Sequence, residues 1–415
     1  MVDTANKVHY TTKASAQSEF SGWFIIIPLL IALFFPTSIN GVINPHLSLI
    51  GNLIALMVFF AGIMIGSLRL SLTLFSISLA FMLLLAVMTI LSPFSQITLG
   101  AVVPYVTFLL VCSINIKSVV FTKAQRRVVI FLIVLLLISC FLVVFDFKPF
   151  IAFQESYYQM FPDLFDFMMN WAKKPVLMFA THSVAGFAYF LIALILFIFA
   201  RIADSKAVRY SLFIASLSFS VFLVLLLSNT GFILFFVMLL IYLFSMFKTF
   251  GVWGWLISLI ALVALVSINI DVITTVLSFA WDSFITVASR KDNGLLSRFT
   301  LDSRLAGSYE YVFNSPFVGV GFTDHPSLAF GDNLLSEYVL RAGFLGYLLV
   351  LILVFGFFYS NLKLKTVAVL LFIFVILSDL GYPLFVALRF VFIFPLLIIL
   401  SNYYYALKHK EHGIA

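Results

Sequence analysis

Residues 128–145 read VVIFLIVLLLISCFLVVF and follow directly on the basic stretch KAQRR at 123–127. An α-helix needs about 20 mostly apolar residues to cross the roughly 30 Å hydrocarbon core of a bilayer. The run has nearly that length and carries no charge, and its basic flank is typical of the cytoplasmic end of a membrane span. We therefore interpret this stretch as a transmembrane helix.

The whole chain, like this run, is rich in hydrophobic residues and poor in charged ones. Of its 415 residues, 63% are hydrophobic and only 10% are charged, whereas a soluble protein has about 25% charged residues. We therefore expect an all-α, polytopic integral membrane protein with about 12 transmembrane helices. The candidate spans lie near 23–39, 47–66, 70–92, 97–116, 128–145, 176–200, 210–228, 231–247, 252–270, 334–359, 366–380 and 388–407.

The distribution of basic residues predicts the orientation of these spans. If every candidate crosses the membrane, 15 of the 24 Lys and Arg residues lie on the side of the termini, with clusters at 117–127, 201–209 and 408–410. Because basic residues collect in cytoplasmic loops, both termini are expected to be cytoplasmic. The net charge of +7 is therefore explained largely by topology, and no nucleic-acid partner is expected.

The predicted organisation has two large outer loops between groups of helices. Cys112 and Cys140 both lie inside apolar runs, so no disulfide or metal framework is indicated. The segments are a tail at 1–22, transmembrane helices 1–5 at 23–145, the first outer loop at 146–175, helices 6–9 at 176–270, the second outer loop at 271–333, helices 10–12 at 334–407 and a tail at 408–415.

Five arginines near the outer face oppose the topology signal. An outer loop needs no arginine for orientation, whereas a guanidinium binds phosphate in a bidentate manner. We therefore predict a cationic cleft that binds a diphosphate. The alternative is a solvated loop in which Glu337 and Arg341, spaced i, i+4, form a surface ion pair. The five are Arg290, Arg298, Arg304, Arg341 and Arg389.

The same region contains candidates for a general base. His325, Asp332 and Glu337 follow a predicted tight turn at 316–321, where Pro316 precedes Gly319-Val320-Gly321. An imidazole or a carboxylate at this place could take a proton from an incoming hydroxyl. The residues alone leave open which of the three acts.

These motifs resemble the superfamily of bacterial O-antigen polymerases and O-antigen ligases. The resemblance is carried by Arg304, by NSPFVGVG at 314–321, by DNLL at 332–335 and by Gly343 and Gly346. A second match covers KPVLMF at 174–179 with His182, Ser183 and Ala185. Where the ligases have His-Asn, this chain has Asp332-Asn333, which favours the polymerase.

The resemblance implies a metal-independent, GT-C-like membrane glycosyltransferase without a cofactor. It would act on undecaprenyl-diphosphate-linked oligosaccharides, as donor and acceptor, at the periplasmic face of the bacterial inner membrane. Its partners would be membrane lipid, a chain-length regulator and a flippase. Under this interpretation Arg304, Arg298, Arg290, Arg341, Arg389 and Lys174 contact the diphosphate or glycan, and His325, Asp332 or Glu337 supplies the base.

Two other functions remain open. An O-antigen ligase would transfer the finished glycan to lipid A–core. A flippase or other transporter would have the same topology, but it usually carries ionisable residues at mid-membrane depth and internal repeats. The sequence shows neither feature clearly.

Overall fold

In the computed structural model, the protein is mostly helical. The structure describes residues 20–34, 45–117, 119–159, 174–179, 182–228, 230–245, 305–331 and 333–411. The chain forms two compact units. The first comprises residues 1–133, 160–164 and 299–415, and the second comprises residues 134–159 and 165–298.

Among the described residues, five helices are long and apolar enough to cross a membrane. They coincide with the spans predicted near 70–92, 128–145, 176–200, 210–228 and 334–359, and they agree with an all-α, membrane-embedded protein. These helices are Leu72–Leu91, Lys123–Val144, His182–Ile202, Lys206–Leu225 and Leu335–Asn361.

The other predicted spans within the described residues also fall on helices, most of them shorter or irregular. The span predicted at 252–270 lies outside the described residues. The remaining helices are Trp23–Phe34, Pro45–Met64, Leu99–Ser113, Lys148–Gln159, Thr230–Ser245, Ala306–Asn314, Lys365–Asp379, Leu388–Val391 and Ile393–Glu411.

Two short antiparallel sheets lie at opposite ends of helix Leu72–Leu91 in the first unit. At the beginning of this helix, Arg69–Leu70 pairs with Ile114–Asn115. After its end, Gln96–Ile97 pairs with Thr323–Asp324. A helix rises about 1.5 Å per residue, so the two sheets are separated by roughly 30 Å along this helix.

The end near Arg69–Leu70 is fastened by two buried asparagines, which we call the Asn361 clasp. The Asn361 side chain accepts a hydrogen bond from Ile116 N (2.7 Å) and donates one to Ile114 O (3.0 Å). The Asn402 side chain accepts from Lys363 N and donates to Asn361 O, both at 2.8 Å. Neutral amides thus satisfy backbone groups at the ends of these helices.

The helix at the span predicted near 334–359 is present but irregular in its first third. The helix begins with a π-helical turn at Leu335–Val339, and it breaks at Gly343, where φ is +66° and ψ is 178°. Glycine adopts this backbone conformation at little cost because it has no Cβ. At the break, backbone groups that would be hydrogen-bonded within a continuous helix have no partner inside this helix.

In the second unit, hydroxyl groups join the helices. Ser216 Oγ on helix Lys206–Leu225 donates to Ala193 O of the preceding helix (2.7 Å), and it lies 2.7 Å from the Tyr242 hydroxyl.

The span predicted from residue 176 begins six residues later, at His182. Before it, a single 3₁₀ turn at Leu177–Phe179 contains Leu177 with φ of +51°.

Candidate active site

Residues 316–324 lie against the broken start of helix Leu340–Asn361. In a continuous helix Phe344 N would donate to Leu340 O, but the break at Gly343 leaves both groups for other partners. Segment 316–324 supplies these partners, and its predicted turn is thereby tied to the helix. The hydrogen bonds run from Val320 N to Leu340 O (2.9 Å), from Gly321 N to Arg341 O (2.8 Å) and from Phe344 N to Pro316 O (2.9 Å).

The same segment is attached to the end of helix Leu72–Leu91 through Thr89. The Thr89 hydroxyl accepts a hydrogen bond from Phe322 N (2.9 Å) and donates one to Leu85 O (2.7 Å). Gly321 has φ of +61°, and a Cβ at this position would lie 2.2 Å from Thr89 Oγ1 and 2.4 Å from Thr89 N. Only glycine fits here without displacing backbone.

Glu337 and Arg341 form a buried ion pair beneath this segment. Arg341 Nε donates to Glu337 Oε1 at 2.9 Å, and the Tyr105 hydroxyl donates to the same oxygen at 2.9 Å. Both charged side chains are buried. The i, i+4 pairing inferred from the spacing is therefore present, but its interpretation as a surface ion pair is wrong, because helix Leu99–Ser113 covers it with Tyr105.

Arg341 forms hydrogen bonds to Gly321 through both its backbone and its side chain. Its backbone carbonyl accepts from Gly321 N, and its Nη1 donates to Gly321 O at 3.0 Å. The guanidinium also lies 4.0 Å from the centre of the Phe330 ring, within the range of a cation–π interaction. We call Glu337, Arg341, Tyr105 and residues 316–324 the Arg341 clasp.

Asn333 caps the start of the helix that carries the ion pair. Its Oδ1 accepts from Leu335 N and Ser336 N, each at 3.0 Å. Its Nδ2 donates to the Tyr309 hydroxyl at 2.7 Å, which joins helix Ala306–Asn314 to the same point. The asparagine of the sequence motif is thus a fully buried structural residue, and it fixes the position of the helix start next to Glu337.

His325 lies on the surface of the same unit, one residue after the two-residue strand Thr323–Asp324. Its ring stacks on Phe94, with ring centres 4.6 Å apart. Nδ1 lies 2.7 Å from Ser327 Oγ and accepts a hydrogen bond from Ser327 N at 3.2 Å. The backbone N of His325 donates to Asp324 Oδ1 at 2.8 Å. This predicted site residue is therefore exposed but held in one orientation.

The remaining predicted residues are only partly covered by the structure. Asp332, Arg290, Arg298 and Arg304 lie outside the described residues, as does the side chain of Arg389, whose backbone belongs to helix Leu388–Val391. Lys174 belongs to the second unit, where it is half-buried in the turn before helix His182–Ile202. Partial burial lowers the pKa of its ammonium group.

Three polar residues of this region were not predicted. Tyr105 hydrogen-bonds Glu337 although 232 residues separate them in the chain. The Tyr338 hydroxyl is buried and has no hydrogen-bond partner among the described residues. Asp379 is buried at the end of helix Lys365–Asp379, where its Oδ1 accepts from Leu384 N at 3.0 Å. The sequence signal that could have indicated these residues is their position as polar groups inside apolar runs, since such groups need hydrogen-bond partners when buried.

Comparisons with protein-family models, with curated proteins and with solved structures found no match for this chain.

Proposed function

We propose that the protein is an O-antigen polymerase, a membrane glycosyltransferase without metal or cofactor. It transfers a growing glycan from undecaprenyl diphosphate to the non-reducing end of a lipid-linked repeat unit. The observation that carries this proposal is the packing of motif segment 316–321 on the helix start that contains Arg341, which Asn333 of the second motif caps and which breaks at Gly343 of the third. These segments carry the sequence resemblance, and their packing into one structure supports a common role.

The proposal places the Arg341 clasp at the periplasmic side of a bacterial inner membrane. It assumes twelve spans with both termini in the cytoplasm and two large periplasmic loops. In the first unit, the loop after helix Leu72–Leu91 pairs with segment 323–324, while the loop before this helix pairs with 114–115. This separation is compatible with the alternating topology that the basic residues predict.

The reaction requires two contributions from the protein, a base for the acceptor hydroxyl and cations for the leaving diphosphate. The oxygen of the acceptor hydroxyl attacks the anomeric carbon of the donor glycan, and the bond from this carbon to the diphosphate oxygen breaks. The electron pair leaves with undecaprenyl diphosphate, and a base takes the hydroxyl proton. Cations must stabilise the charge that develops on the leaving diphosphate.

The candidate cations for the diphosphate are Arg290, Arg298, Arg304, Arg389 and Lys174. Arg341 has a different position, because its Nε and Nη1 are engaged by Glu337 and Gly321. We assign it primarily the positioning of segment 316–324, to which its Nη1 and its backbone carbonyl are hydrogen-bonded. His325, Asp332 and Glu337 are the candidates for the base.

The positions of the buried charges favour this function over a transporter. Among the described residues, the buried charged side chains are Glu337, Arg341 and Asp379. All three lie within the first two turns or at the last residue of their helices. A coupled transporter usually places such groups at mid-membrane depth along the transport path.

The test is reconstitution of the purified full-length protein in liposomes with undecaprenyl-diphosphate-linked repeat units. The proposal predicts a ladder of lengthened lipid-linked glycans from the wild-type protein. Arg304→Ala is expected to reduce laddering by about 100-fold or more, because it removes a cation that acts on the leaving group. Arg127→Ala is the matched control, since Arg127 is an exposed arginine among the basic residues of the predicted cytoplasmic side.

The alternative functions give different products in the same experiment. Transfer only to added lipid A–core, with no ladder, would show a ligase. Movement of the lipid-linked sugar across the bilayer without a new glycosidic bond would show a flippase. Full laddering by Arg304→Ala would contradict the role of this arginine in the polymerase.

A further inference from the structure

The His325 ring contacts Phe94 on one face and Ser327 at its edge. Phe94 stacks on one face of the ring at 4.6 Å, and Phe94 itself packs against Tyr311. At the ring edge, Ser327 N lies 3.2 Å and Ser327 Oγ 2.7 Å from Nδ1. A backbone N–H can only donate a hydrogen bond. Nδ1 must therefore present its lone pair to Ser327.

This arrangement determines where the neutral imidazole carries its proton. One ring nitrogen of neutral histidine is an acceptor and the other carries hydrogen. Because Nδ1 of His325 accepts from Ser327 N, the hydrogen lies on Nε2. The Ser327 hydroxyl agrees with this tautomer, because it can also donate to Nδ1. The opposite tautomer would place an N–H on Nδ1 directly facing the Ser327 amide N–H.

The Nε2–H group is available for a ligand. The His325 side chain is exposed, and within the described part of the chain this residue forms hydrogen bonds through Nδ1 and its backbone N. A hydrogen-bond donor of fixed direction at this place suits an acceptor oxygen, and phosphoryl oxygens are strong acceptors. A base would instead need a free lone pair facing the acceptor hydroxyl, and the only lone pair of the neutral ring is already used.

We propose that His325 is a hydrogen-bond donor to a phosphoryl oxygen of the lipid-linked substrate, acting through Nε2, and is not the general base. This inference rests on the proposed glycosyl transfer for the identity of the substrate. It transfers the role of the base to a carboxylate, for which Asp332 and Glu337 are the candidates. The fixed tautomer itself follows from the contacts with Ser327 alone.

The tautomer can be measured without any activity. The full-length protein with ¹⁵N-labelled histidine is placed in lipid nanodiscs, and the His325 signals are assigned by comparison with the His325→Gln variant. We expect the neutral ring to show a protonated Nε2 and an unprotonated Nδ1. A protonated Nδ1 in the neutral ring would overturn the inference. Ser327→Ala should leave the tautomer unchanged, because the backbone N–H remains.

Two substitutions then separate a donor from a base in the reconstituted reaction. The amide nitrogen of glutamine can take the place of Nε2, whereas that of asparagine takes the place of Nδ1. For a donor, His325→Gln should keep activity within about tenfold of wild type, which corresponds to one weakened hydrogen bond. His325→Asn should lose about 100-fold, as expected when a donor to developing charge is removed.

Every other pattern of activities contradicts the inference. Equal loss in both variants would indicate a base, and full activity in both would show that His325 has no role in the reaction. Both variants should retain the thermal stability of the wild type, because the side chain is exposed. If the wild-type protein makes no glycan at all, the proposed function fails, while the NMR result still decides the tautomer.

Discussion

The Arg341 clasp and the Asn361 clasp lie at opposite ends of the first unit and join helices by different chemistry. The Asn361 clasp uses two neutral amides that pair with backbone groups at 2.7–3.0 Å. The Arg341 clasp buries a complete ion pair and closes around Gly321. A buried ion pair contributes little net stability because of its desolvation cost. Stability alone therefore does not explain the buried charges of the Arg341 clasp, and under the proposed function they position segment 316–324.

The largest expected effect is the removal of one charge from the Arg341 clasp. Glu337→Leu leaves Arg341 buried without its carboxylate, which should destabilise the protein by about 3–5 kcal/mol. The measurement is chemical or thermal unfolding of the full-length protein in a fixed lipid mixture. If Glu337→Leu is no less stable than Asn361→Ala, the expected difference between the two clasps is contradicted.

Two glycines with positive φ form the next test. Gly321 and Gly66 have φ of +61° and +76°, but a Cβ on Gly66 meets no atom within 4 Å. Gly66→Ala should cost about 1–2 kcal/mol from backbone strain alone. Gly321→Ala should cost about 1–3 kcal/mol more, because its Cβ collides with Thr89. Equal unfolding midpoints for the two variants would show that segment 316–324 is not tightly held.

Disrupting the Asn361 clasp should lower the stability of the protein but leave its activity unchanged. Asn361→Ala leaves the buried Ile116 N–H without its partner, which should cost about 1–3 kcal/mol. Glycan synthesis per folded molecule is expected to stay at the wild-type level. A large loss of activity at unchanged folded fraction would remove the functional distinction between the two ends.

The smallest effects concern two buried tyrosines near the ion pair. Tyr105→Phe removes a hydrogen bond to Glu337, which should cost about 1.5 kcal/mol. Tyr338→Phe is the matched control, because the hydroxyl has no partner among the described residues and its loss should be neutral within about 0.5 kcal/mol or stabilising. Unfolding of both variants under the same conditions checks the difference, and the reverse order of stabilities would contradict it.

The sequence predicted the local part of this arrangement. Long apolar runs such as 128–145 became helices because burial in lipid requires backbone hydrogen bonds within one segment. The i, i+4 spacing of Glu337 and Arg341 predicted their contact. These predictions needed only neighbours along the chain.

The tertiary part could not be predicted in this way. Tyr105 contacts Glu337 across 232 residues, and no local pattern encodes that pairing. At the break at Gly343, segment 316–324 supplies partners for the freed backbone groups. A glycine in an apolar run is also compatible with a regular helix, so its role depends on the packed structure.

The most direct test removes the charge of the Arg341 clasp while keeping the protein folded. Replacing both partners of a buried ion pair with apolar residues is often neutral or stabilising, so Glu337→Leu/Arg341→Met should regain most of the stability lost in Glu337→Leu. The measurement is glycan laddering per folded molecule in liposomes, beside wild type and Asn361→Ala. We predict that the double variant loses laddering by about 100-fold or more, while Asn361→Ala retains it. Wild-type laddering by the folded double variant would contradict the account.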